Sequence, residues 1–172
     1  MSTRSMILKE QEDGSYFGIY CHSDGYLTHN GAMLIDHYNS RERVDKLISL
    51  GDLSYLAPKI EPDENEPHTF DKPQKGVCIF YGRDRGETST EATDVTLEEL
   101  NSDPWIEYTY VFGKNNEWKY FEYGRLEEGL VQLKKGLADI FKEWGIERPQ
   151  GIYGYYTKQD VQAIKEKQAC CI

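Results

Sequence analysis

The sequence predicts an α+β fold: a mostly antiparallel sheet of five or six strands, with two or three helices packed on one face. Three observations predict it. Aromatic residues make up 13% of the chain, with thirteen tyrosines, and such rings suit a pleated, half-buried surface. Short apolar runs are separated by turn signals, among them Asp13-Gly14, Asn30-Gly31 and Asn115-Asn116. Elsewhere apolar residues recur every three or four positions, which is the helical period. A length of 172 residues fits one domain spanning 1–172, with a core over about 5–145 and a C-terminal elaboration over 146–172. A chain of this size buries about 70% of its unfolded surface and needs no metal or disulfide staple.

Residues 5–10 read as a strand around Met6, Ile7 and Leu8. Residues 12–15 turn, and 16–22 return as the partner of a hairpin. Ser23-Asp24-Gly25 is a second turn and Asn30-Gly31 a third, so the apolar run 32–35 reads as a further strand of a meander. Asn39 or Ser40 caps a helix over about 41–50, with Val44, Leu47 and Ile48 on one face and Gly51 at its end. Residues 51–56 continue as a loop or a short helical turn. Residues 59–76 hold three prolines and five acids and read as a mobile surface loop. Residues 77–81 form an apolar strand and 82–87 a charged loop bounded by glycines. Thr96 with Glu99 makes a capping box for a short helix over 97–101. Residues 105–112 and 118–123 make a second hairpin. Leu126, Leu130, Leu133, Leu137, Ile140, Phe141 and Trp144 predict one amphipathic helix of about five turns ended by Gly145. A short strand over 152–156 and a polar helix over 158–168 precede a mobile tail.

The net charge of −10 repels nucleic acid phosphates and anionic membranes, so neither is an expected partner. Between Asp84 and Glu107 eight acids face one base, Arg85. That segment is a solvated face or a surface that meets a basic partner. The four cysteines form no CxxC pair, no metal or other cofactor is expected, and no apolar run approaches the length of a membrane span. Together these features predict a protein of the reducing cytoplasm. The ending Ala169-Cys170-Cys171-Ile172 is not a prenylation box.

Two constellations carry candidate chemistry. The first is His22, Asp24, His29 and His37 beside Cys21. A histidine oriented by a carboxylate acts as a general base, so His22, Asp24 and His37 are the catalytic candidates if the protein is an enzyme. Adjacent strand residues point to opposite faces, which separates Cys21 from His22, whereas His22 and Asp24 share a face if the strand continues. The competing reading is a turn in which Asp24 bonds its own backbone. The second constellation is Gly82-Arg83-Asp84-Arg85-Gly86, where two arginines suit a phosphate or carboxylate unless neighbouring acids satisfy them. The binding candidates are therefore Tyr20, His22, Asp24, Tyr26, Arg83, Asp84 and Arg85. The aromatic set from Trp105 to Tyr123 is read as cross-strand packing. The chain carries no nucleophile elbow, dinucleotide fingerprint, HExxH or kinase signature.

The segments Ile19-Tyr20-Cys21-His22-x-Asp24-Gly25-Tyr26, Asn30-Gly31, His37-Tyr38, Val44-x-x-Leu47-Ile48-x-Leu50-Gly51-Asp52-Leu53-Ser54 and Tyr81-Gly82-Arg83-Asp84-Arg85-Gly86-Glu87 resemble a family of small proteins of bacteriophages, prophages and plasmids. The resemblance covers residues 5–123. Its pattern carries a tryptophan where this chain has Ser23, so a binding surface completed by that ring lacks it here. The resemblance implies a genetic setting and no chemistry. The leading expectation is a non-enzymatic accessory protein that binds a host protein or a small anionic signalling ligand and blunts a defence system. The alternatives are a small hydrolase or nucleotide-modifying enzyme using His22 and Asp24, and a structural or assembly protein.

Overall fold

The structure, a computed structural model, describes residues 2–145 together with Glu147, Arg148, Ala163, Glu166, Lys167 and Cys170. The strands are β1 (Ser5–Glu10), β2 (Tyr16–Cys21), β3 (Leu53–Tyr55), β4 (Ile79–Phe80), β5 (Thr93–Val95), β6 (Tyr108–Phe112), β7 (Trp118–Glu122) and β8 (Val131–Gln132). The α-helices are α1 (Ala32–His37), α2 (Arg41–Ser49), α3 (Tyr81–Arg85), α4 (Leu97–Asn101) and α5 (Leu133–Trp144). The fold class is α+β, as expected. The predicted strand for 152–156 and most of the predicted helix for 158–168 lie outside the described residues.

The sheet is mixed rather than mostly antiparallel, and it has eight strands rather than five or six. Its order is β4-β3-β2-β1-β6-β7-β8, with β5 pairing the free end of β2. Both expected hairpins are present. β1 and β2 pair antiparallel from Ser5↔Cys21 to Glu10↔Tyr16, and β6 and β7 pair from Tyr108↔Glu122 to Phe112↔Trp118. The two hairpins join through β1 and β6, which run parallel with Ser5 opposite Tyr108. The reason lies in β1. Met6, Ile7 and Leu8 are all buried, so the strand is covered on both faces and takes a central position that demands partners on both edges.

Alternation along the strands divides the core in two. Ile7, Ile19, Cys21, Tyr110, Phe112, Trp118 and Tyr120 face a large first cluster, covered by α1, α2 and α5. Met6, Leu8, Val111 and Phe121 face a smaller second cluster, covered by α4 with Leu97 and Leu100. The helices therefore lie on both faces, not one.

Four segments depart from their expected structure. Residues 27–37 are helical: a π-helical turn, Leu27–Gly31, runs directly into α1. Asn30 spends its amide on Ser5 Oγ and Cys21 Sγ, at 3.1 and 3.4 Å, instead of making a turn. Gly31 serves space and not a special dihedral, since a Cβ there would stand 3.1 Å from Leu133 of α5. Residues 51–56 contain β3, recruited as a parallel neighbour of β2 at Cys21↔Leu53. The predicted loop 82–87 is mostly the one-turn helix α3. Finally, the long leucine-rich helix is broken. Gly129, at φ 86 and ψ 167, holds a backbone conformation closed to helices, between a 3-10 turn (Leu126–Glu128) and β8. Leu126 and Leu130 then pack on the second cluster, while Leu133, Leu137 and Phe141 pack on the first.

Candidate functional site

The end of β2 near Cys21 is where the expected site residues and the exposed aromatics meet. Cross-strand neighbours lie on one face of a sheet, so register defines a row. Beyond Ser5↔Cys21, Arg4 stands level with His22. The Glu107 N–H donates to Arg4 O at 3.0 Å, and the Tyr123 N–H donates to Glu107 O at 2.9 Å. His22, Arg4, Glu107 and Tyr123 thus form one row across four strand ends, on the face of the second cluster. Tyr20 lies one step inward, with its hydroxyl 2.8 Å from His22 Nδ1 and its N–H donating to Asp52 Oδ1 at 2.9 Å. The Arg4 guanidinium lies 5.0 Å from the centre of the Trp105 ring. Trp105 is 66% exposed and Tyr123 46% exposed, the two exposed large hydrophobics among the described residues.

Tyr81 reaches the same side through Ser54, which hydrogen-bonds its side chain. Burial raises the Tyr20 and Tyr81 hydroxyls above the usual phenol range, with hydrogen bonds to Arg4 and Ser54 opposing it. Both remain neutral donors at physiological pH. Tyr81 stacks on Phe70 at 5.8 Å, and Arg85 lies over Phe70 at 4.7 Å while pairing with Glu87 at 3.2 Å.

The expected catalytic set does not assemble. β2 stops at Cys21, and Asp24 takes φ 54, which turns the chain. Asp24 therefore leaves the face of His22 and accepts from the Tyr26 hydroxyl at 3.3 Å. No hydrogen bond joins His22 to Asp24 among the described residues. His37 ends α1, on the opposite face of the sheet from His22. Asp24 and Gly25 do make the expected turn, with the Tyr110 hydroxyl donating to Gly25 O at 2.6 Å. Among the described residues no group of three His, Cys, Asp or Glu side chains could hold a metal ion.

His29 belongs to a buried network instead. Its Nδ1 lies 2.9 Å from Asn30 Oδ1, a carbonyl that only accepts, so Nδ1 carries the hydrogen. Its Nε2 then accepts from the Tyr55 hydroxyl at 3.0 Å. Cys21 closes the network through Asn30, and burial pushes its thiol up to about 12, far from a nucleophilic thiolate.

The arginine pair divides. Arg83 is spent inside the protein: its guanidinium donates to Asp84 at 2.8 Å, Ile60 O at 2.7 Å and Cys78 O at 2.9 Å. Asp84 also accepts from the Phe80 N–H at 2.8 Å and faces His68 Nε2 at 3.2 Å. Burial opposes the Asp84 charge, but Arg83, the Phe80 amide and His68 together hold its carboxyl below the usual range. His68 Nδ1 accepts the Gln74 N–H at 3.0 Å, so the hydrogen sits on Nε2, facing Asp84 and Cys78 O. This node anchors residues 59–76, and the Gln74 side chain ties that loop internally to Asp63 and Glu66. An anion clamp by Arg83 and Arg85 is replaced by a structural staple and one half-exposed arginine.

Sequence reasoning passed over Arg4, Ser54, His68 and Tyr81, and treated Trp105 as a strand residue. Pro104 gave the available signal: it delays β6 to Tyr108 and leaves Trp105 outside the ladder. No helix among the described residues is long and apolar enough to cross a membrane. Searches of protein-family models, of curated proteins and of solved structures found no match to this chain.

Proposed function

We propose that this chain is a non-enzymatic accessory protein of a mobile element that acts by binding a host protein, in the manner of a counter-defence inhibitor. The observation that carries the reading is the exposed Trp105 ring with Arg4 stacked against it. Tryptophan and arginine are enriched among the residues that carry most of the binding energy of protein contacts, and stacking on the ring already orders the Arg4 guanidinium. The enzyme reading has less support: His22 bonds Tyr20, Asp24 turns toward Tyr26, and Cys21 is buried. The small-anion reading loses Arg83 to internal carbonyls. The motifs over residues 5–123 that resemble mobile-element proteins supply the setting.

The test is co-purification of the tagged chain from bacterial cells at low and at high salt. A host protein recovered in fixed stoichiometry is expected, and His37→Gln, on the opposite face of the sheet, should leave its recovery unchanged. Recovery of no specific protein at any salt would overturn the reading. So would an in vivo effect that needs His22 and persists at amounts far below the target.

A further inference from the structure

The row at the end of β2 also states what kind of surface the partner presents; this step rests on the binding function proposed above. Trp105 and Tyr123, the exposed large hydrophobics among the described residues, stand at one place and not scattered. Tyr123 is tied to Glu107 by its N–H, and Trp105 lies two residues before Glu107. Between them stand Arg4 and Glu107. Around them the surface is acidic. Asp103 accepts from the Trp105 N–H at 2.9 Å, and Glu127 and Glu128 lie on the 3-10 turn that the Asn101 side chain fastens to α4 at 3.0 Å. The basic side chains there are already engaged. Arg4 stacks on Trp105, and Arg125 lies 3.5 Å from Glu122 and 3.9 Å from Glu128.

An aromatic centre with an acidic rim has a defined complement. The rings require a partner surface with apolar or cationic groups that fill the space beside them, and a cation over a tryptophan face is favoured. The rim requires lysine or arginine at the partner's periphery, where charges speed encounter and reject wrong partners. The whole-chain charge of −10 adds a long-range field of the same sign. We infer that the face bearing Trp105, Arg4, Glu107 and Tyr123 docks on a lysine- and arginine-rich face of a folded partner protein, with Trp105 as its central anchor.

The inference is tested on the protein recovered from cells, as a purified pair with the full chain. Its affinity is measured for the wild type, Trp105→Ala, Tyr123→Ala, Glu107→Lys with Glu127→Lys, and a control, Lys135→Ala, on the outer face of α5. Urea midpoints confirm that each variant is folded. Trp105→Ala should weaken binding at least about tenfold, and the charge-reversed variant should slow association several-fold. Raising salt from about 50 to about 500 mM should weaken the wild type and hardly affect the charge-reversed chain. The control should stay within about twofold. A recovered partner that ignores Trp105 and Tyr123, or binds through a neutral or acidic face, overturns this inference while leaving the binding function in place. Self-association of the wild type that Trp105→Ala abolishes also overturns it, because a second copy would then occupy the face. If no partner is recovered, the binding function fails and this inference fails with it.

Discussion

His29 shows how a residue that looks like chemistry serves structure. It sits in the π-helical turn that replaces the expected meander, buried against Tyr55 and bonded to Asn30. Burial lowers its pKa, while Asn30 and the Asp24 charge oppose that shift without reversing it. The unfolded chain therefore binds a proton at His29 near pH 6.5 that the folded chain resists. Where the unfolded state binds more protons, stability rises with pH. The contribution of neutral His29 is thus full above about pH 7.5 and is lost as pH falls through the unfolded value toward the lowered folded one. His37 is lowered by burial as well and adds a slope of the same sign. The expected result is a urea midpoint that drops between about pH 7.5 and 5.5, with His29→Gln less stable at the higher pH but distinctly flatter. A variant as steep as the wild type would show that His29 titrates alike in both states. The sequence displayed this histidine plainly. Its partners were hidden because Tyr55 and Ser5 lie 26 and 25 positions away from His29 and Asn30, respectively.

At the scale of elements, local signals were legible wherever a segment decides its own structure. The capping box at Thr96 and Glu99 forms as read, with both reciprocal hydrogen bonds present. Ser40 caps α2, and both hairpins close in the expected places. Misreadings arose where spacing was satisfied by two elements at once. The leucines from 126 to 137 keep a helical step, yet Gly129 breaks the helix and β8 then carries the chain from the second cluster to the first. What positions α5 is a contact, not a period. A Cβ at Gly136 would stand 2.5 Å from the Tyr120 hydroxyl and 2.6 Å from its ring. The helix thus lies directly on β7 through that gap. Alanine is the better helix former by about 1 kcal/mol, but overpacking a buried contact costs about 1–3 kcal/mol. Gly136→Ala should therefore destabilise by about 1 kcal/mol despite its propensity. Adding Tyr120→Phe, which removes the nearest atom, should recover part of that loss in urea unfolding. A stabilising Gly136→Ala would mean that α5 is free to move off β7.

At the scale of the whole molecule, the decisive feature is one that no local pattern announces: β1 pairs parallel with β6, about a hundred residues away. Alternation reveals which side chains share a face and is silent about which strand lies alongside or in which direction it runs. The fully apolar centre of β1 hinted at a two-sided position, and the second face is the part that went unread. Its core unites Met6 and Leu8 from the first hairpin with Leu97, Leu100, Val111 and Phe121 from the second half of the chain. The first core likewise draws Ile7 and Ile19 together with Tyr110, Trp118 and Leu137. Neither half can close either cluster alone, because β1 lends one face to each. Two consequences can be measured. Leu8→Ala, which removes a fully buried side chain between β1 and α4, should cost about 2–5 kcal/mol. Its unfolding should remain one transition, with tryptophan fluorescence and far-UV circular dichroism coincident as in the wild type. A fragment of residues 1–92, which keeps the first hairpin and α2 but lacks β6 and α5, should show no cooperative transition, since its β1 would expose Met6 and Leu8 on one face and lack a neighbour on one edge. A fragment that unfolds cooperatively, or a wild type whose two signals separate, would mean that the halves are independent and that the parallel pair at the centre of the sheet is an interface between them.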